Sequence, residues 1–315
     1  MRAMRIAVTG ASGFVGGAVC RALAGRGVET FAYGRRAHTP SEHVGGAPYR
    51  SWDITTGLLS DAPEVDAVVH CAGSVTDWGP IEDFFRTNLD GTKNVLASFP
   101  TSRFVHVSTA SVYDPYRPTV RAREPEAPVT RYLNGYGASK AAAERAVLAA
   151  MRERPAIILR PHAVYGPGDT TLLPRVLSAV RGPLLPAVGN GRQRISLTSI
   201  GNLVQACLLA ATGPVGTGVF NITDAAPVVL DDALRQILAE RGIRARPVYL
   251  PLKALWPLAS AVEGAFLAAR RPRPPRLTRY ALSHLAVERT LDITAAREIL
   301  GYAPAPTSLT GAATW

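Results

Sequence analysis

The segment Thr9-Gly10-Ala11-Ser12-Gly13-Phe14-Val15-Gly16 constrains this chain more than any other. It joins an apolar run, Met4–Val8, to a stretch from Phe14 to about Ala24 whose apolar residues recur at helical spacing. A strand that turns through glycines straight into a helix leaves few choices of fold. Gly10 permits the tight turn, Gly13 allows the backbone to approach a diphosphate, and Gly16 lets the helix lie close to the strand. The free amides and dipole at the helix start favour negative charge there. The spacing is G-x-x-G-x-x-G, a variant of the usual dinucleotide fingerprint G-x-G-x-x-G.

A second local pattern carries chemistry. In Tyr136-Gly137-Ala138-Ser139-Lys140 the phenol and the ammonium stand one helical turn apart, and the Ala-rich run to about Arg152 contains no helix breaker. Lys140 can therefore sit beside the Tyr136 hydroxyl and favour its phenolate. Only three of the 35 basic residues are lysines, Lys93, Lys140 and Lys253, so a lysine here suggests that a compact ammonium is required. Tyr249 and Lys253 repeat the spacing, but Pro251 between them argues against a helix that would stack the two side chains.

Composition sets outer limits. At 315 residues the chain can bury a large core, and its hydrophobic content of 47% is ordinary for a globular protein. Basic residues exceed acidic ones, 35 to 24, but they are scattered apart from Arg270-Arg271-Pro272-Arg273-Pro274-Pro275-Arg276. No nucleic-acid-binding motif accompanies them, so a solvated basic face and affinity for an anionic cofactor are expected. Cys20, Cys71 and Cys207 are far apart and form no C-x-x-C, which suits a reducing cytoplasm. No signal peptide is expected before the strand at Arg5. The apolar stretch Val248–Ala269 includes Lys253, Glu263 and two prolines and reads as a buried or interfacial helix rather than a membrane span. His70, at the end of an apolar strand, is expected to cap a turn, and the six histidines show no metal-ligand spacing.

Along the chain, strands near 5–9, 29–33, 66–70, 103–108 and 156–159 alternate with helices near 14–24, 81–98, 137–152 and 202–211, and 219–222 reads as a further strand. Such alternation predicts an α/β fold, a doubly wound parallel sheet with helices on both faces. Residues 1–164, completed by about 194–223, would form a dinucleotide-binding domain. Residues 165–193 and 224–315 would form a smaller, mostly helical substrate lobe. Ligands are expected at the carboxyl ends of the strands.

Several segments then share one order with a known family. Besides Thr9–Gly16 they are Asp53-Ile54, Val69–Gly73, Asn88–Leu96, Val107–Tyr113, Tyr136–Lys140 and Leu159–Asp169. Over nearly its whole length the chain resembles an extended short-chain dehydrogenase/reductase, a member of the NAD-dependent epimerase/dehydratase superfamily. It is most similar to the branch that contains 3β-hydroxysteroid dehydrogenases. The resemblance implies a catalytic set of Tyr136, Lys140 and Thr109, with Ser108 and Ser111 as weaker candidates for the hydroxyl role. Asn88 would be a proton-relay residue or simply a cap or buried amide. Asp53 and Ile54 would hold the adenine, Cys71, Ala72 and Gly73 would line the cofactor's middle, and Pro161 and Val164 would flank the nicotinamide. Ser111, His162 and Tyr165 would face substrate. The family is often dimeric, so a homodimer is expected.

The second strand decides the cofactor. Ala32-Tyr33-Gly34-Arg35-Arg36 has glycine where an NAD enzyme carries a ribose-binding acid, and two arginines follow. Guanidinium groups match a 2′-phosphate, so NADP(H) is expected, with NAD(H) as the alternative. Tyr136 would exchange a proton with the substrate oxygen, Lys140 would bind the nicotinamide ribose and lower the tyrosine pKa, and Thr109 would orient the oxygen. The expected activity is that of an oxidoreductase on a bulky, largely apolar ketone or secondary alcohol. Two alternatives stand beside it. A nucleotide-sugar epimerase or dehydratase would show an Arg-Asp pair after Gly189–Gln193, but Ile195 and Ser196 occupy those positions, with Arg194 one place early. A cofactor-binding sensor or scaffold would not need the catalytic residues, which this chain keeps.

Overall fold

The computed structural model describes residues 3–271 and 273–315; Pro272, within the expected basic segment, lies outside them. Seven parallel strands form the central sheet: β1 Arg5–Thr9, β2 Glu29–Gly34, β3 Tyr49–Ser51, β4 Ala67–His70, β5 Arg103–Val107, β6 Ala156–Pro161 and β7 Gly218–Ile222. Their spatial order is β7-β6-β5-β4-β1-β2-β3. The winding reverses at β1, which pairs with β4 on one side and β2 on the other. The connections leaving β1 and β4 therefore run to opposite faces of the sheet, the arrangement in which ligands bind at the carboxyl ends of the strands.

Strands β4 and β6 are buried at every position, as expected where both sheet faces are covered. Helix α1 (Phe14–Ala24) buries Val19, Cys20 and Leu23 on one face of the sheet. The other face is covered by α2 (Ile81–Phe85), α3 (Gly91–Ser98) and α4 (Gly135–Ala150). A further helix, α5 (Ile200–Thr212), packs beside α1 and contributes Leu203, Ala206 and Cys207 to the same core. The span expected as one helix from Ile81 to Ser98 is interrupted by a wider π turn at Arg86–Asp90.

The carboxyl-terminal part carries more strand than its proline-punctuated sequence suggests. Val228–Val229, Arg194–Ile195, Arg289–Leu291 and Thr119–Ala122 make a four-stranded sheet. Residues Val248 to Leu250, read as the start of a helix, end the strand Arg246–Leu250, which pairs in parallel with Leu184–Val188. Pro251 follows, and only then does α6 (Leu252–Ala268) begin. Proline lacks the amide a continuous helix would need, so the break falls at Pro251. Within α6 only Ala259 and Glu263 are buried. A short helix, α7 (Arg279–Leu285), completes the wall over the crevice. Among the described residues no helix is long and apolar enough to cross a membrane.

Candidate active site

The glycine turn behaves as its sequence requires. Gly10 has φ +72°, and a Cβ there would come within 2.6 Å of the Ala72 backbone nitrogen, so the turns after β1 and β4 touch. A Cβ on Gly16 would lie 2.3 Å from the Gly10 carbonyl oxygen, which explains why the helix can start so close to the strand. Gly13 is exposed, and no side chain caps the first amides of α1. That combination leaves donors free for an anion and suits a diphosphate. Ser12 is buried against Gly34, and the Phe14 ring approaches Gly168. Val15, Cys71 and Val164 are half-buried, whereas Ile54 and Pro161 are buried.

Tyr136 and Lys140 lie in the first two turns of α4, whose amino end is capped by Asn134. Both are buried, at 8% and 4% exposure. Lys140 Nζ donates to the Val107 carbonyl at 2.9 Å, which places the ammonium at the end of β5, next to the strand-end hydroxyls. A Cβ on Gly73 would lie 2.9 Å from Asn88 Oδ1 and 3.3 Å from Lys140 Nζ. This small cradle, open only because residue 73 is glycine, suits a ribose lying over the lysine. Burial lowers the Lys140 pKa to about 8, against the charges of Cys71 and Glu144. Burial raises the Tyr136 pKa, and a hydrogen bond with Thr109 opposes the rise. The Lys140 ammonium, expected to favour the phenolate, donates to the Val107 carbonyl.

Thr109 follows β5 and starts a hydroxyl chain: its Oγ1 donates to Ser111 Oγ at 3.2 Å, and Ser111 Oγ lies 2.8 Å from the Tyr280 hydroxyl. Neighbouring Ser108 instead points into the core and donates to Glu144 at 2.5 Å. Asn88 sits on the π turn. Its amide donates to Ser139 Oγ at 2.9 Å and Ser74 O at 3.2 Å, while its Oδ1 accepts from Ser74 N at 2.7 Å. It thus ties the loop after β4 to the helix of Lys140, and the extra residue of the π turn is what aims it inward.

A narrow recess opens beside these hydroxyls; Ser111, His162, Tyr280, His284 and Arg289 are among its lining residues. His162 Nδ1 lies 2.6 Å from the Ser196 carbonyl, which can only accept, so Nδ1 carries the proton. Burial lowers the His162 pKa to about 4 and holds the stacked His284 below its ordinary value as well. Tyr165 is not brought to the recess. It is buried in the carboxyl-terminal core, and its hydroxyl donates to Asp224 at 2.7 Å. Nor does Tyr249 pair with Lys253, since its hydroxyl donates to Asp231. His70 caps no turn: it lies in the sheet between Thr9 Oγ1 at 2.7 Å and Thr92 Oγ1 at 2.9 Å, and burial lowers its pKa to about 3.

At the adenosine end Arg35 and Arg36 are both exposed, just beyond β2. A Cβ on Gly34 would come 2.6 Å from Ser12 Oγ and 2.9 Å from the Tyr49 hydroxyl, so a carboxylate side chain cannot stand there without displacing both. Asp53 is held below its ordinary pKa. Burial pushes the other way and is outweighed by two hydrogen bonds from Thr55 and by Arg35 and Arg86.

Tyr280 and His284 were not legible as site residues, because no motif surrounds them. The only signal was their place shortly after the arginine–proline segment 270–276.

A glycine turn at the switch point of a parallel sheet, with a buried Tyr–Lys pair beside it, defines a nicotinamide-dinucleotide enzyme of the extended short-chain dehydrogenase/reductase class. The chain belongs to the NAD dependent epimerase/dehydratase family, whose pattern it matches over residues 6–223. It is 32% identical to the 2-alkyl-3-oxoalkanoate reductase of Stenotrophomonas maltophilia (strain K279a), over 96% of this chain and 95% of that one. It is 33% identical to a 4-hydroxy-2-methyl-3-oxo-4-farnesyl-3,4-dihydroquinoline-1-oxide ketoreductase of Stigmatella aurantiaca, over 95% and 92%. The human sterol-4-alpha-carboxylate 3-dehydrogenase, decarboxylating, is 28% identical over 79% and 70%, in keeping with the resemblance to the hydroxysteroid dehydrogenase branch. Among solved structures, MoeE5 in complex with UDP-glucose and NAD superposes with a TM-score of 0.74 at 25% identity, covering 98% of this chain and 96% of that one.

Proposed function

We propose that this protein is an NADP(H)-dependent ketoreductase whose substrate is a bulky, largely apolar ketone with a carboxylate on the carbon next to the carbonyl. The similarity to the 2-alkyl-3-oxoalkanoate reductase supports the carboxylate, and the farnesyl group in the second relative's name supports the apolar bulk. The observation that carries the reading is that Tyr136 shares a hydrogen bond with Thr109 while Lys140 reaches the Val107 carbonyl at the end of β5, beside the Gly73 cradle.

The bound cofactor supplies hydride at C4 of its nicotinamide. The chain's own groups do the rest. Thr109 and Ser111 orient the ketone oxygen by hydrogen bonds, and Tyr136 donates its phenolic proton to that oxygen as the carbonyl carbon is reduced. Lys140 holds the ribose in the Gly73 cradle, and from there its charge favours the phenolate that Tyr136 becomes. Arg35 and Arg36 meet the 2′-phosphate in a corner where Gly34 has removed the competing acid. Two chain-specific facts weaken the nucleotide-sugar alternative. Ile195 and Ser196 are buried where a pyrophosphate clamp would stand, and the Arg194 guanidinium donates to the Pro227 carbonyl.

The test is loss of reduced-nicotinamide absorbance when the protein is mixed with NADPH and a series of 2-alkyl-3-oxo acids and apolar ketones. Tyr136→Phe should lower kcat by at least about a hundredfold while leaving the NADPH dissociation constant unchanged. Full turnover by that variant, or no NADPH oxidation by the natural protein with any ketone, would overturn the proposal.

A further inference from the structure

We infer that Tyr280 is a specificity-determining residue, which donates a hydrogen bond to the carboxylate borne next to the reacting carbonyl. The inference rests on the ketoreductase reading and adds to it the side chain that reads the acid.

The local sequence aims this tyrosine. Thr278 caps α7 by accepting from Ala281 N at 3.1 Å, and Arg279 is clamped to Glu263 through both its amide and its guanidinium, each at 2.6 Å. With its neighbours fixed, Tyr280 turns into the recess, edge-on to Tyr136 with ring centroids 6.3 Å apart, and its ring packs on His284 at 4.4 Å. Its hydroxyl ends the chain that starts at Tyr136 and passes through Thr109 and Ser111.

The spacing of that chain matches a 3-oxo acid. Ser111 Oγ stands 3.2 Å from Thr109 Oγ1, and the Tyr280 hydroxyl a further 2.8 Å on. In the conformer of a 3-oxo acid that turns both groups to one side, the ketone oxygen and the nearer carboxylate oxygen lie about 3 Å apart, one hydrogen-bond step. A ketone oxygen held by Tyr136, Thr109 and Ser111 therefore brings the carboxylate to Tyr280, one step beyond Ser111. Burial keeps the Tyr280 phenol protonated, so it meets an anion as a donor. Through space Tyr280 feels Asp77 and, more weakly, the Arg175 paired with it at 2.8 Å, while Arg289 and Arg175 act on His284. A substrate without the carboxylate offers Tyr280 nothing in exchange for its bond to Ser111.

Because 3-oxo acids lose carbon dioxide readily, the experiment runs in the oxidative direction, with NADP⁺ and either a 2-alkyl-3-hydroxyalkanoate or the secondary alcohol of the same chain without its carboxylate. In Tyr280→Phe the acid-over-alcohol ratio of kcat/KM should fall at least tenfold, chiefly through KM of the acid. The unfolding midpoint and the NADP⁺ dissociation constant should stay at their natural values. Ser111→Ala, next to the reacting oxygen, should depress both substrates together. An unchanged acid-over-alcohol ratio in Tyr280→Phe overturns the inference. Were the natural protein to oxidise neither compound, the ketoreductase reading would fail instead. Calorimetric binding of the hydroxy acid would then judge Tyr280, with tenfold weaker binding by the variant expected and equal binding refuting its role.

Discussion

Arg160 Nη2 lies 2.7 Å from Glu144 Oε2, in an ion pair whose side chains are 1% and 0% exposed. Glu144 belongs to the helix of Tyr136 and Lys140, and Arg160 to the sheet strand β6. The same carboxylate accepts from Ser108, next to Thr109. The buried pair therefore ties the helix that carries the phenol to β6, and the Ser108 hydrogen bond to the same carboxylate ties it to the end of β5, where Thr109 stands.

Removing the acid should be costly. Glu144→Ala leaves a guanidinium buried without its counter-charge, and urea denaturation should show a loss of about 3–5 kcal/mol. Replacing both partners by apolar residues, Glu144→Leu with Arg160→Met, should recover much of that loss. If the single variant loses under about 1 kcal/mol, the pair does not anchor the helix.

Lys140 should weaken the empty protein below pH 8 for the sake of its site. Its pKa is about 8 when folded against 10.5 for the ordinary group, so the unfolded chain binds the extra proton between those values. Stability then rises with pH across that window, and the penalty is at its full size below it. Lys140→Met removes the penalty. At pH 7 the variant should unfold at a higher denaturant concentration than the natural protein, and the difference should shrink from pH 8 to 10.5. NADPH binding should weaken in the same variant. A pH-independent difference in stability would contradict the assignment.

At the other end of the crevice, Arg35→Ser with Arg36→Ser should raise KM for NADPH roughly tenfold to a hundredfold, the worth of a charge-assisted hydrogen bond of about 1.5–3 kcal/mol. KM for NADH should barely move. Steady-state kinetics with both cofactors decides this, and a natural preference for NADH would remove the arginines from the site.

Much of the cofactor side was legible before any coordinates. The helix expected to start at Phe14 runs Phe14–Ala24, and the glycines at 10 and 16 stand where a Cβ would strike backbone. The false Tyr249–Lys253 pair could be set aside through Pro251 alone. Three features were not legible. The π turn at Arg86–Asp90 has no composition of its own, since it differs from an α-helix by one residue in one turn. The strand ending at Leu250 was read as helix because a short apolar run carries no periodicity that separates the two. His70 looked like a strand end, whereas two threonines from other elements hold it inside the sheet.

By itself the order of residues determined what depends on neighbours: the strand, the glycine turn, the helix after it, and the one-turn spacing of Tyr136 and Lys140. Backbone dihedrals and helical pitch act over a few residues, so the text of the chain states them directly. Only the tertiary structure decided which residues line the recess. Ser111 and Tyr280 are 169 residues apart, and they meet because β5 packs into the sheet core while α7 packs with α6 in a separate cluster. That contact is a sum of many packing choices, and no short stretch of sequence contains it.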